Sequence, residues 1–123
     1  CEFFPVEPEG FDDTKRSLEL GERVGNERKG GSVCDALLSP MPGELGFEIL
    51  RRRTKSVILV SDEEALRAVA FAFRELKLVV EPGGAVCLAA VLTGKLPVKG
   101  RTIALTLSGG NIDEDMLARA LAL

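Results

Sequence analysis

The sequence predicts an α/β domain, a mainly parallel sheet with flanking helices. Three observations carry this. Short apolar runs alternate with longer stretches of helical periodicity, the order that builds parallel sheets. The run Ser56–Val60 leads straight into Ser61-Asp62-Glu63-Glu64, which reads as a capping box: the serine hydroxyl accepts the N3 amide while the glutamate reaches back. The apolar run Thr102–Leu107 ends in Ser108-Gly109-Gly110-Asn111 before another helical stretch. Open α/β sheets receive ligands at such strand ends, where glycine lets a ligand approach the backbone.

In chain order, Glu2 to Val6 reads as a short strand, with Pro5 confining it to an edge or an end. Asp12-Asp13-Thr14 opens a short helix, Thr14 to Leu20, with acids at its positive end and Gly21 as its stop. Gly25 to Gly31 is a loop, Ser32 to Leu38 is ambiguous, and Pro40-Met41-Pro42-Gly43 is a turn before a helix over Glu44 to Arg53. Ser56 to Val60 is a β-branched apolar strand. The helix after it runs to about Leu76 and buries one stripe of Leu66, Val69, Ala70, Phe73 and Leu76. Leu78 to Val80 is short and apolar, broken by Glu81-Pro82-Gly83. Gly84 to Leu92 forms an alanine-rich helix ending near Gly94. Pro97 to Gly100 turns into the Thr102 strand, and Asn111 is placed to cap a last helix from Ile112 to Leu121.

Composition excludes several function classes. The 123 residues suit one modest domain, and 46% hydrophobic with 28% charged residues is a globular balance. A net charge of −3 offers no basic footprint for nucleic acid. No apolar run approaches the roughly 20 residues of a membrane helix. Cys1, Cys34 and Cys87 show neither metal-ligand spacing nor a disulfide framework, and Cys87 reads as a small core residue. That usage fits a cytoplasmic protein with reduced thiols. The absence of histidine removes Ser-His and Cys-His catalysis and histidine-based zinc sites. Cysteine at position 1 and the strand-like Phe3-Phe4-Pro5-Val6 behind it suggest a chain cut from a longer one.

Two places carry chemistry. Ser108, followed by two glycines, forms a pocket floor or caps a helix. Glu81 emerges from an apolar run into a Gly-Gly turn, a place where a random surface charge is not expected; the alternative is an N-cap-like acid. Burial would raise its pKa unless it found a partner. Arg51-Arg52-Arg53 reads as a solvated helix face.

The ordered set Val6-Glu7-Pro8, Asp35, Pro42-Gly43-Glu44-Leu45, Val60-Ser61-Asp62-Glu63-Glu64, Glu81-Pro82 and Ser108-Gly109-Gly110-Asn111 resembles the C-terminal part of the threonine and serine dehydratases. These are pyridoxal-phosphate enzymes of the tryptophan-synthase-β-like fold, fold type II, with serine racemases among them. The resemblance covers nearly the whole chain. It implies that residues 1–123 are the C-terminal portion of a catalytic domain whose parent converts L-threonine or L-serine to a 2-oxo acid and ammonia. Racemization within the same family, or a non-catalytic binding module, are the alternatives. It also implies a homodimeric parent that acts on a small amino acid. Ser108 would face the cofactor's pyridine nitrogen. As a neutral donor it would not hold that nitrogen protonated. Glu81 would lie near the ring, with Gly109 and Asn111 on the wall. Asp35 would border the mouth, although Asp35-Ala36 stands where many relatives have Asp-Gly. Glu7, Asp13 and the Phe11 carbonyl match a divalent-cation site that Mg²⁺ or Ca²⁺ would suit; acids flanking a helix start are equally expected from the dipole alone. The family's cofactor-bonding lysine segment and tetraglycine phosphate loop have no counterpart here. Both lie upstream in relatives, so the complementary N-terminal part of the same enzyme is the implied partner.

Overall fold

The computed structural model describes residues 1–123. Two short strands, β1 (Val6–Pro8) and β2 (Ile58–Val60), pair in parallel with Val6 opposite Ile58 and Pro8 opposite Val60. The β1 ladder begins later than Glu2. Pro5 has no amide to donate, but its carbonyl accepts from Ile58 at 2.9 Å, and an isolated bridge joins Phe3 to Thr54. Helix α1 (Asp13–Leu20) stops at Gly21, whose φ of 79° lets its amide turn back to the Ser17 carbonyl. Helix α2 (Glu44–Arg53) follows the proline turn and packs on α1, burying Phe47. Arg51 and Arg52 pair with Glu48 on its open face, and all three arginines are exposed. The ambiguous stretch from Ser32 resolves into one turn of 3₁₀ helix, Asp35–Leu37.

Helix α3 (Asp62–Phe71) starts at the capping box: Glu64 N donates to Ser61 Oγ at 3.2 Å, and Ser61 N donates to Glu64 Oε2 at 2.7 Å. Beyond Phe71 the coil widens into a π turn, Ala72–Leu76, that closes on Lys77 at a left-handed φ of 61°. The widening rotates the tail of the expected stripe. Leu66, Val69 and Ala70 are buried, but Phe73 and Leu76 are turned outward. Helix α4 (Pro82–Leu92) has proline in its first turn, where no amide is missed. It is apolar all round because it is the centre of the fold, touching α3, both strands and the 3₁₀ turn. Helix α5 (Glu114–Leu121) packs on α3.

Two expectations fail at the C-terminal end. Thr102–Leu107 is not a strand: none of its backbone groups bonds to another backbone group, and Ile103 and Leu105 are exposed. A ladder needs a neighbouring strand, and none lies beside this run. The last helix begins at Glu114 with Asp113 at its N-cap, because Ile112 is held in a turn by its bond to the Gly109 carbonyl. Asn111 therefore caps nothing. Of the other sequence readings, Cys87 is half-buried against the core, whereas Cys34 is fully buried within it.

Candidate active site

The start of α4 is the focus. Glu81 stands at its N-cap with extended backbone and makes no side-chain cap, so the carboxylate is free to point elsewhere. The Gly83 and Gly84 amides, first in the helix after proline, donate to no protein acceptor. Two walls close on this end. On one side Glu81 N donates to the Ser108 carbonyl at 3.1 Å, drawing the Ser108-Gly109-Gly110 turn against the helix. Contact is so close that a Cβ on Gly84 would overlap the Ser108 carbonyl and stand 2.7 Å from Ser108 Oγ. Gly109 is required twice over: its φ is 80°, and the Glu81 side chain lies across the space a Cβ would fill. On the other side a Cβ on Gly83 would meet Ala36 Cβ and Leu37 Cγ at 3.5 Å.

The structure thus brings Ser108, Gly109 and Glu81 together and sets the Asp35-Ala36 turn on the opposite flank of the same helix end. Ser108 is exposed and Glu81 half-buried, so both are open to a ligand. Asp35 Oδ1 accepts from the Ala36 amide at 2.8 Å and stays exposed at the rim. Asn111 is exposed in the turn that follows. An exposed serine hydroxyl can donate to an acceptor such as the ring nitrogen of pyridoxal phosphate, while the close approaches at Gly83, Gly84 and Gly109 are filled by the chain's own atoms.

Glu7 and Asp13 lie elsewhere, lining an open cavity of about 310 Å³ between β1, α1, α2 and the 3₁₀ turn, and Phe11 is not among its lining residues. Glu7 Oε1 and Oε2 accept from the Thr14 and Lys15 amides at 3.0 Å, so this carboxylate serves the α1 N-terminus from outside the helix. Burial pushes the Glu7 carboxyl upward, against the pull of those amides. Asp13, almost fully buried, accepts from Asn26 Nδ2 at 2.7 Å. Phe11 is a buried plug beneath the Arg28 guanidinium, 5.6 Å from its ring centre. Nowhere do three or more His, Cys, Asp or Glu side chains gather as a metal-holding group. Both Glu7 oxygens and Asp13 Oδ1 already accept from the chain's own donors.

Sequence reasoning gives Cys34 no role beyond excluding metal and disulfide spacing. Its thiol is pushed up to about 11, first by burial, then by the negative charges of Asp62, Asp35 and Glu81, with the Ser32 hydroxyl pulling the other way. It is inert at neutral pH.

Comparison with known proteins identifies the family. Residues 1–109 match the family described as pyridoxal-phosphate dependent enzyme. The chain is 36% identical over 116 residues to an L-threonine ammonia-lyase of Thermotoga maritima, covering 94% of this chain and 28% of that protein. It is 36% identical over 126 residues to a phenylserine dehydratase of Ralstonia pickettii, covering 100% of this chain and 38% of the relative. Among solved structures, the serine racemase of Dictyostelium discoideum superposes with a TM-score of 0.80 at 34% identity, over 92% of this chain and 36% of that one. A bacterial threonine deaminase superposes with a TM-score of 0.82 at 44% identity, covering 91% of this chain and 40% of the other. The chain spans 28% to 38% of the length of the two sequence relatives. With a family match over most of its length and solved relatives that superpose on it, this chain belongs to the pyridoxal-phosphate dependent enzymes of fold type II.

Proposed function

We propose that residues 1–123 supply the C-terminal part of an active site that deaminates a small β-hydroxy amino acid, L-threonine or L-serine, to a 2-oxo acid and ammonia, the water lost with the β-hydroxyl being taken up again when ammonia is released. The observation that carries this is the closure of Ser108, Gly109 and Glu81 around the start of α4. Pyridoxal phosphate, when bound, supplies an electron-withdrawing ring for the substrate's α-carbon. The chain's own residues hold that ring. The Ser108 hydroxyl hydrogen-bonds the ring nitrogen without charging it, Glu81 and Gly109 line the ring's edge, and Asn111 and Asp35 stand at the mouth. A neutral partner on the nitrogen keeps the ring a weaker sink than a carboxylate would. That favours expelling a β-hydroxyl over accumulating charge at the α-carbon. The covalent link to the cofactor falls to a lysine outside these residues: Lys55, Lys77 and Lys95 pair with Glu2, the Arg74 carbonyl and Glu64 respectively, away from the site.

Similarity to threonine ammonia-lyases and hydroxyaspartate ammonia-lyases supports elimination. Similarity to serine racemases supports a second reading, racemization on the same scaffold. The test is the full-length protein that carries this segment, purified with pyridoxal phosphate and given L-threonine, L-serine and D-serine in turn. Release of 2-oxobutanoate or pyruvate with ammonia is the expected result. D-serine from L-serine without a 2-oxo acid transfers the site to racemization. Cofactor uptake without turnover of any of these leaves a binding module. A cation at Glu7, Asp13 and the Phe11 carbonyl would have to share the Glu7 oxygens with the α1 amides and Asp13 Oδ1 with Asn26; a melting temperature that rises with Mg²⁺ or Ca²⁺ and falls in chelator is the measurement for it.

A further inference from the structure

A tether outside the chemistry described above joins the start of α3 to one wall of the site. Asp62 is the first residue of α3. Its Oδ1 accepts from Ser32 Oγ at 2.5 Å and its Oδ2 from the Val33 amide at 3.2 Å. Ser32 Oγ in turn accepts from the Cys34 amide at 3.1 Å. The helix does not need Asp62 as its cap, because Ser61 and Glu64 already satisfy that end reciprocally. The carboxylate reaches sideways instead, to a segment 30 residues earlier in the chain.

Apolar packing holds part of that segment, with Cys34 in the core and Val33 and Leu37 against it, but no other hydrogen bond ties it to the rest of the chain. The other hydrogen bonds of residues 32–38 are internal: Leu37 to the Cys34 carbonyl, Leu38 to the Asp35 carbonyl, and Ala36 to the Asp35 carboxylate. The residues just before it, Glu27 to Gly31, are all exposed. Directly after the tethered residues comes the wall itself, with Ala36 and Leu37 against Gly83.

We propose that Asp62 is a positioning residue: acting through Ser32 and Val33, its carboxylate holds the Cys34–Leu37 wall against the start of α4 and so sets the width of the site that Glu81, Ser108 and Gly109 close from the other side. What fills that width rests on the function proposed above; the tether itself does not. A carboxylate is suited to the task because it accepts two bonds at once with charge assistance, which one neutral hydroxyl could not do as firmly.

The experiment compares the full-length protein with D62A, S32A and S32T, read by pyridoxal-phosphate affinity and by amide hydrogen exchange over residues 33–37. D62A is expected to speed exchange at these amides and weaken cofactor affinity about tenfold or more, the scale of lost hydrogen bonds to a charged group. S32A does the same to a smaller degree and stands in if D62A folds poorly. S32T, which keeps the hydroxyl, restores both readouts. A merely structural role would lower melting temperature and leave the affinity of folded protein unchanged. Wild-type exchange rates in both D62A and S32A overturn the tether, and faster exchange with unchanged affinity overturns its role in the site. A wild-type protein that takes up no cofactor overturns the functional reading instead, and the exchange data alone then decide whether Asp62 holds the wall.

Discussion

Helix α4 and the stretch Thr102–Leu107 carry comparable apolar runs, Ala85-Val86-Cys87-Leu88-Ala89-Ala90 in one and Ile103-Ala104-Leu105 in the other. In α4 the side chains of Ala85, Val86, Leu88, Ala89 and Ala90 are buried. In the second stretch residues 102–106 are exposed and the backbone pairs with nothing. A helix satisfies its own amides and carbonyls, and then needs only a surface to pack on, which α3 and the strands provide. A would-be strand depends on a neighbour for backbone and side chains alike. Apolar sequence states a demand for burial; the kind of element decides whether this chain can meet it alone.

The largest effect should come from the packed half. Leu66→Ala, at a buried position of α3, is expected to cost about 2–5 kcal/mol in chemical denaturation, while Leu105→Ala stays within about 0.5 kcal/mol. Equal costs would break the comparison. Gly109→Ala lies at the seam between the two regions. Strain at its positive φ and the displaced Glu81 side chain should together cost about 1–3 kcal/mol and weaken cofactor affinity. An unchanged affinity would detach Gly109 from the site. Ser61→Ala removes one half of the α3 cap and is expected to cost about 1 kcal/mol. The Thr102–Leu107 stretch, which has no such cap, offers no equivalent position.

The smallest effect concerns pH. Burial works to raise the Glu64 carboxyl, but the Lys95 ammonium at 2.6 Å and the Ser61 amide outweigh it and hold the group below the usual carboxylate range. A depressed folded value means that its stabilization is present above the ordinary value of 4.5 and fades as pH falls through the folded value. Glu64→Gln should therefore flatten the acid limb of melting temperature against pH and leave the neutral region only slightly lowered. A parallel downward shift at every pH would show that the charge plays no part.

Local signals are readable wherever they are self-contained. The Ser61–Glu64 box, the Gly21 stop and the α2 boundaries follow from residues within a turn of one another, and each stands where the sequence puts it. The meeting of Ser108 with Glu81 is legible only through family resemblance, because 27 residues of chain separate them and no periodicity links the two. The π turn at Ala72–Leu76 leaves no local mark, and with it goes the outward rotation of Phe73 and Leu76. Asp62 reads as one acid of a capping box, since a side chain that leaves its own helix to hold a distant loop has no spacing rule. Ser32 and Cys34, the far end of that tether, lie in the stretch where strand and helix patterns are balanced.

Burial of Cys34 gives the molecule a built-in chemical clock. With its thiol pushed up to about 11 and no surface exposed, Cys34 carries almost none of the reactive thiolate at pH 7. Cys1 is open to reagents. An alkylating agent therefore marks Cys1 promptly and Cys34 only in the moments when the segment around it swings away; with the half-buried Cys87 replaced by alanine, the slow phase of labelling counts those openings.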